Sequence, residues 1–185
     1  NIYYFNSDRN FKAEDFARQL HQMIEEEKAR QGKKGVAFLC IGTDRSTGDS
    51  LGPLIGYKLR DMKRSCAAVF GTLERPVHAM NLEDARIIKN CYHDCLVVAV
   101  DASVGNREHV GYLTLGKGAL RPGLGVSKEL GAVGDIFITG IVGGCSSYDP
   151  LMLQSVRLSV VMRMADCISR SIRIVEKFWD NAALI

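Results

Sequence analysis

The sequence of 185 residues has the length of one ordinary domain, and 46% of its residues are hydrophobic while 24% are charged. This composition excludes a disordered or fibrous chain and predicts a globular protein with a substantial apolar core. The formal net charge of +3 comes from 24 basic and 21 acidic residues without a long run of like charge, so we expect no nucleic-acid partner.

The cysteines and the apolar runs indicate the compartment. None of the six cysteines forms a CxxC pair, so we interpret them as free thiols in a reducing compartment rather than as disulfides or zinc ligands. No apolar run approaches the roughly 20 residues that cross a bilayer, and residues 1–6 lack the pattern of a signal peptide. We therefore expect a cytoplasmic protein without a membrane partner.

An N-terminal helix and a buried strand open the chain. Residues 11–30 place apolar side chains at helical spacing among many charges, which predicts an amphipathic helix that packs on a larger core. The apolar run at residues 36–41 has the length of a strand buried on both faces. Beyond a glycine-rich loop, Asp49 or Ser50 is expected to cap the next helix.

The pattern of strand and helix then repeats. Residues 66–72 predict a second strand, residues 81–92 a helix, and residues 95–100 a third strand that ends in Asp101. Strands that alternate with helices of this length favour a mostly parallel sheet covered on both faces. A doubly wound start places the first strand between the other two, with a ligand crevice at the carboxyl ends of the strands.

The pattern changes after the third strand. Only residues 104–110 precede the next strand, residues 111–115, and a parallel crossover needs a dozen residues or more, so this strand should run antiparallel. Residues 135–142 predict the last buried strand, and a long helix is expected from Asp149 onward, with Pro150 in its first turn.

These elements predict one α/β domain over residues 1–185. We expect three layers, α/β/α, around a mixed, mostly parallel five-stranded sheet, with residues 1–35 supplying the N-terminal helix that packs on the core.

Two aspartates at one edge of the predicted sheet are the candidate catalytic residues. The loop at residues 42–53 resembles a phosphate loop, but Asp49 stands where that loop has a lysine, and a carboxylate would repel phosphate. Asp101 should lie at the same edge. Two carboxylates in a partly dehydrated cleft differ in proton affinity, so one acts as base and the other as acid. We assign the base to Asp49, whose ionised form a helix terminus favours, and the acid to Asp101.

The loops beside the two aspartates supply the candidate substrate contacts. Taken alone, Asp49 also fits a plain helix cap, and the serines after the last strand also fit a helix-entry turn, since no histidine is placed to activate them. His109 is expected to be an exposed loop residue. The residues expected to contact substrate are Thr43, Thr47, Gly48, Gly144, Ser146 and Ser147.

The motif Thr-x-Asp-x-Leu-Gly-Pro at residues 47–53, with the later strand that ends in Val-Asp-Ala, resembles the spore germination protease. The whole chain resembles the YyaC-type sporulation proteins related to it and, more distantly, the hydrogenase maturation proteases. The resemblance implies a phosphorylase/hydrolase-like fold and an atypical peptidase with Asp49 and Asp101 as its catalytic pair. It also implies a protein or peptide substrate, such as small acid-soluble spore proteins, and a location in the forespore or spore core.

Two alternatives to a peptidase stay open at this point. One is a noncatalytic module that binds a peptide in the same cleft, and the other is a metal-binding protease of the maturation type. The maturation proteases bind nickel through the two acidic positions and a later histidine, and this sequence has no histidine at a comparable place. We therefore expect no metal and no other cofactor, and we leave a homo-oligomer open.

Overall fold

The described residues form six strands and three α-helices. The computed structural model describes residues 1–62, 67–77, 93–121, 132–144 and 150–182. In chain order, the strands are β1 (Ile2–Asn6), β2 (Gly35–Cys40), β3 (Ala67–Phe70), β4 (Cys95–Gly105), β5 (Tyr112–Lys117) and β6 (Ile136–Gly144). The helices are α1 (Ala13–Gln31), α2 (Leu51–Leu59) and α3 (Leu158–Ala182).

The strands form one mixed sheet in the order β1-β5-β6-β4-β2-β3. The pairs among β6, β4, β2 and β3 are parallel, whereas β5 runs antiparallel to both of its neighbours. The position of β2 between β3 and β4 and the antiparallel direction of β5 agree with the sequence-based prediction. The α/β class with a mixed, mostly parallel sheet flanked by helices is therefore confirmed.

The predicted number of strands was wrong, because the described residues alone form a sheet of six strands rather than five. The additional strand is β1, which pairs antiparallel with β5 at one edge of the sheet. Its residues, Ile-Tyr-Tyr-Phe-Asn, are rich in the β-branched and aromatic types that favour strands. Because most of them are exposed at an edge, the strand lacks the buried apolar run by which the other strands were predicted.

One face of the sheet packs against all three described helices. The amphipathic pattern of α1 buries one side of the helix, as predicted, and α3 does the same over a greater length. Among the described residues, the largest fully buried side chains belong to this core: Phe16, Leu20, Ile24, Phe38, Leu51, Ile55, Leu59, Leu96, Leu113, Leu115, Ile136 and Ile138. In the parts of the chain that the structure describes, no helix is both long enough and apolar enough to cross a membrane.

The opposite face of the sheet carries a second, smaller apolar cluster. Small and aliphatic side chains of β2 and β4 form it, together with Val77 from the segment after β3. Because side chains alternate along a strand, Asp101 lies on this second face, two residues after Ala99 of the same cluster. The helix predicted over residues 81–92 lies outside the described residues.

The last helix begins later than predicted. Pro150–Gln154 forms a short 3-10 helix, and α3 starts only at Leu158. The short helix places Leu153 against Gly48, where a β-carbon on the glycine would lie 2.9 Å from the leucine carbonyl oxygen. The segment ahead of α3 thus packs over the loop that carries Asp49 instead of continuing the helix.

Candidate functional site

Asp101 lies inside β4 rather than at its end. β4 continues to Gly105, so the predicted end of the strand at Asp101 is corrected. The register with β2 runs only to Val100, which pairs with Cys40, whereas the register with β6 continues past Asp101. One flank of Asp101 therefore faces the place where β2 has ended, which is the crevice expected of a doubly wound sheet.

The chain that leaves β2 turns back and brings Asp49 to this crevice. The amide of Gly42 donates to the carbonyl of Val77 at 2.8 Å, and the amide of Thr43 donates to the carbonyl of Asp49 at 3.1 Å. Gly42 has a φ of 141°, and a β-carbon there would lie 2.0 Å from the Asp49 carbonyl oxygen. Only glycine fits at residue 42, so this residue closes the loop beneath Asp49.

Ser50, one of the two predicted cap residues, occupies the N-cap position of α2, but its side chain does not make the capping hydrogen bond. Asp49 lies in a 3-10 turn, Gly48–Ser50. The Ser50 hydroxyl donates instead to the carbonyl of Thr47 at 2.6 Å. Gly52 lets the first turn of α2 lie close to the backbone that follows β2. A β-carbon on Gly52 would lie 2.0 Å from the carbonyl oxygen of Ile41.

The two carboxyl groups interact electrostatically. The Asp101 side chain is buried, and its burial raises the pKa of the carboxyl well above the usual range. The negative charge of Asp49 raises the pKa of Asp101 further. A hydrogen bond of 2.8 Å from the Ala102 amide to Oδ1 of Asp101 opposes both effects without reversing them. This environment favours the protonated form of Asp101 beside Asp49, which is only partly buried.

Three hydroxyl side chains lie in the same region of the sheet as Asp101, on β4, on the neighbouring β6 and on β5. Thr139 of β6 is the register partner of Asp101, and Thr114 of β5 is the register partner of Thr139. The two threonine hydroxyls lie 2.6 Å apart in a buried hydrogen bond, and the Ser103 hydroxyl donates to Oγ1 of Thr139 at 3.3 Å. We did not predict this group, although a threonine within each of two apolar strands was a signal for it.

The predicted substrate contacts fall into three groups. Thr43 and Thr47 belong to the closed loop ahead of Asp49 and are partly buried. Gly48 lies beneath Leu153, and Gly144 lies against Arg107, whose Cγ would be 2.5 Å from a β-carbon on this glycine. The two serines of the set, Ser146 and Ser147, lie outside the described residues.

The other candidate groups have simpler environments. Cys40 and Cys167 are free thiols, as predicted, and burial raises the pKa of Cys40 to about 12. His109 is exposed, as predicted, and its ring lies near those of Tyr4 and Tyr112. Within the described ranges, no cluster of three or more histidine, cysteine or acidic side chains is arranged to hold a metal ion.

Comparisons with known proteins give a family and a relative. Residues 4–171 match the model of a family described as "Protein of unknown function (DUF1256)". Over 162 residues, the chain is 40% identical to "Uncharacterized protein YyaC" of Bacillus subtilis (strain 168), which covers 87% of this chain and 79% of that protein. The likeness to YyaC expected from the sequence is thereby confirmed, while the relation to the spore germination protease stays a prediction.

Among solved structures, the chain is similar to a NiFe hydrogenase maturation protease, HycI from Thermococcus kodakarensis KOD1. The match has a TM-score of 0.45 and a sequence identity of 17%, and it covers 80% of this chain and 99% of that chain.

Proposed function

We propose that this chain, which belongs to the family described as "Protein of unknown function (DUF1256)", is a peptidase that uses Asp49 and Asp101 as an acid and base pair. The single observation that carries the proposal is the buried carboxyl of Asp101 at the end of the β2–β4 pairing, with a pKa raised by burial and by the charge of Asp49. Perturbed carboxyl groups at the crevice of an open α/β sheet are typical of catalytic sites.

The different environments of the two carboxyl groups indicate which one acts as the acid and which one as the base. Asp101 keeps its proton because its carboxyl is buried and lies near the Asp49 charge, so it acts as the acid. Asp49 is partly buried in the loop over the crevice and acts as the base. This division is the one that the sequence alone suggested.

Peptide hydrolysis by this pair is balanced in protons. Asp49 takes a proton from water as the water oxygen attacks the carbonyl carbon, and Asp101 donates its proton to the carbonyl oxygen. The tetrahedral intermediate then collapses. Its C–N bond breaks, Asp49 passes its proton to the leaving nitrogen, and Asp101 recovers its proton from the hydroxyl that becomes the new carboxyl group. The products are a peptide acid and an amine.

The loops at the carboxyl edge would hold the substrate backbone. Thr43 and Thr47 lie in the loop on the Asp49 side, and Gly144 ends β6 on the Asp101 side. The remaining proposed contacts of the site are Gly48, Ser146 and Ser147. Together these residues would hold an extended peptide across the crevice, with its scissile bond between the two carboxyl groups.

The substrate and its location follow from the resemblance of the 47–53 motif to the spore germination protease. We infer that the substrates are small acid-soluble spore proteins or peptides of similar character in the cytoplasm of the forespore.

The test is cleavage of a peptide mixture that contains digests of small acid-soluble spore proteins, followed by mass spectrometry of new termini. Asp49→Asn and Asp101→Asn should each lower the cleavage rate at least about 100-fold, the lower end of what acid and base groups supply. The matched control is Asp44→Asn, an exposed carboxyl in the same loop, which should stay within about twofold of the wild type. Wild-type activity should fall as the pH rises through the raised pKa of Asp101, because the acid is then lost.

Three other results of this cleavage assay would contradict the proposed mechanism or favour one of its alternatives. Equal cleavage by the Asn variants would remove the acid and base mechanism. Capture of peptides that are returned uncut would favour the noncatalytic binding module. Cleavage that appears only after a divalent ion is added would favour the maturation-type protease, with the two aspartates as metal ligands.

A further inference from the structure

The outer edge of β1 is open in the described part of the chain. β1 stands last in the strand order and pairs with β5 on its inner side. Ile2, Tyr3 and Tyr4 are 53%, 37% and 55% exposed, so large apolar side chains stand on both faces of this edge. An uncovered strand edge with apolar side chains is a template for another strand.

The hydrogen bonds of β1 show which backbone groups face outwards. The Ser7 amide donates to the Gly111 carbonyl at 3.0 Å, so this N–H points towards β5. The Asn6 carbonyl belongs to the same trans peptide and therefore points away from β5. Because backbone groups alternate along a strand, Ile2, Tyr4 and Asn6 each present an N–H and a C=O to the outer edge.

β1 lacks three features by which natural edge strands avoid pairing. Such strands carry charged side chains, proline or a β-bulge. Ile2–Asn6 contains no charged residue and no proline, and its register with β5 runs without a shift. An uncharged strand does not repel a copy of itself.

We propose that β1 is the interface of a homodimer, in which the β1 strands of two copies pair antiparallel and join two six-stranded sheets into one. The outward-facing residues are spaced symmetrically about Tyr4, so Tyr4 lies at the two-fold axis and pairs with Tyr4 of the second copy. Ile2 then exchanges hydrogen bonds with Asn6 of the second copy. On the face covered by α1, Tyr3 meets Phe5 of the second copy, which gives an aromatic cross-strand pair.

The position of β1 favours a second copy over a substrate peptide. Two strands separate β1 from β4, which carries Asp101. At about 4.8 Å per strand, a peptide paired with the outer edge of β1 would lie four spacings, or about 19 Å, from β4 and its Asp101. In the dimer both crevices lie away from the two-fold axis and stay open. The dimer does not depend on the proposed peptidase activity.

Sedimentation of a proline variant tests the interface. The wild type at about 100 µM should sediment near twice the monomer mass of 20.4 kDa and should dissociate on dilution. Tyr4→Pro removes an N–H that faces outwards and leaves the hydrogen bonds to β5, so it should raise the dimer dissociation constant at least about tenfold. The control is Leu158→Pro, which is equally exposed at the first position of α3 and should leave the dimer intact.

Cysteine cross-linking tests the register. In the proposed pairing, Tyr4→Cys places two thiols on directly opposed residues, about 5.5 Å apart at Cα, which suits a disulfide. Mild oxidation should link this variant into a covalent dimer. Ile2→Cys alone should link much less, and the double variant Ile2→Cys/Asn6→Cys should link well.

A wild type that sediments as a monomer at about 100 µM would overturn the proposal. So would a dimer that Tyr4→Pro leaves unchanged, since its interface then lies elsewhere. Circular dichroism and thermal unfolding of both proline variants show whether a lost dimer reflects the interface or a lost fold.

Discussion

At the scale of single residues, burial of the Asp101 carboxyl costs stability at any pH at which this carboxyl would ionise in the unfolded chain. Burial and the charge of Asp49 raise its pKa, so the folded chain holds the proton more tightly than the unfolded chain does. Below the ordinary carboxyl pKa of 3.8, Asp101 is protonated in both states and contributes no such cost. As the pH rises from that value through the raised pKa, the unfolded state is favoured by ionisation, and stability is lost.

Asp101→Asn should remove this pH dependence. The amide is similar in size to the carboxyl, keeps an oxygen for the Ala102 amide and does not ionise. We expect the free energy of unfolding of the wild type to fall relative to that of the variant as the pH rises from about 4 towards neutrality. Urea denaturation at a series of pH values measures the difference.

Two further variants sharpen this comparison. Asp44→Asn, which changes an exposed carboxyl, should run parallel to the wild type. Asp49→Asn should show a smaller loss with pH, because it removes one of the two causes of the raised pKa of Asp101. Parallel curves for the wild type and Asp101→Asn would contradict the raised pKa.

At the scale of elements, a buried hydroxyl pair links β5 to β6. Thr114 and Thr139 are register partners, and their hydroxyls lie 2.6 Å apart. Each hydroxyl satisfies the other in a place from which water is largely excluded. Removing Thr139 takes this partner from the Thr114 hydroxyl, whereas removing Thr114 leaves Thr139 with the hydrogen bond from Ser103. A buried hydroxyl that loses its partner costs more than the removal of both hydroxyls.

A double-mutant cycle tests this pair. Thr139→Val should lower the free energy of unfolding by about 1–3 kcal/mol. Thr114→Val should lower it by less, because the Ser103 hydroxyl still donates to Thr139. The double variant should lose clearly less than the sum of the two. When Thr139 is changed, the Ser103 hydroxyl keeps the Gly140 carbonyl as an acceptor. The loss measured for Thr139→Val therefore does not include an unsatisfied Ser103 hydroxyl. Additive losses in chemical denaturation would show that the hydroxyls do not act as a pair.

The direction and neighbours of β5 illustrate what local patterns predict. The short connection after β4 was enough to predict an antiparallel strand, because a parallel crossover needs more chain. The same reasoning did not find β1, whose partner β5 lies far along the chain and whose side chains are mostly exposed. Edge strands lack the buried apolar run that identifies interior strands, so their prediction depends on residues distant in sequence.

At the scale of the whole molecule, α2, α3 and β6 meet around Leu51. This side chain is fully buried, and its Cδ2 would lie 2.4 Å from a β-carbon on Gly140 of β6. The Cε atom of Met164 of α3 would lie 2.8 Å from the same β-carbon. The absence of a side chain at Gly140 lets the two helices pack closely on the centre of the sheet.

Leu51→Ala should open a cavity where these three elements meet. Because their positions are fixed by many other contacts, the cavity cannot close fully, and we expect a loss of about 2–5 kcal/mol in the free energy of unfolding. Leu158→Ala removes the same atoms from a side chain that is 55% exposed, and it should change stability by about 0.5 kcal/mol or less. Chemical denaturation of both variants gives the comparison, and equal losses would contradict the central position of Leu51.

The sequence by itself determined the α/β class, the run of buried strands, the antiparallel direction of β5 and the two candidate aspartates, because strand length, apolar periodicity and connection length are local properties. The tertiary structure alone decided the sixth strand, the burial of Asp101 inside β4 and the hydroxyl group at Thr139. It also decided the late start of α3, where Leu153 covers Gly48. These features depend on contacts between residues far apart in the chain, and no local pattern records which distant side chains will exclude water from a carboxyl group.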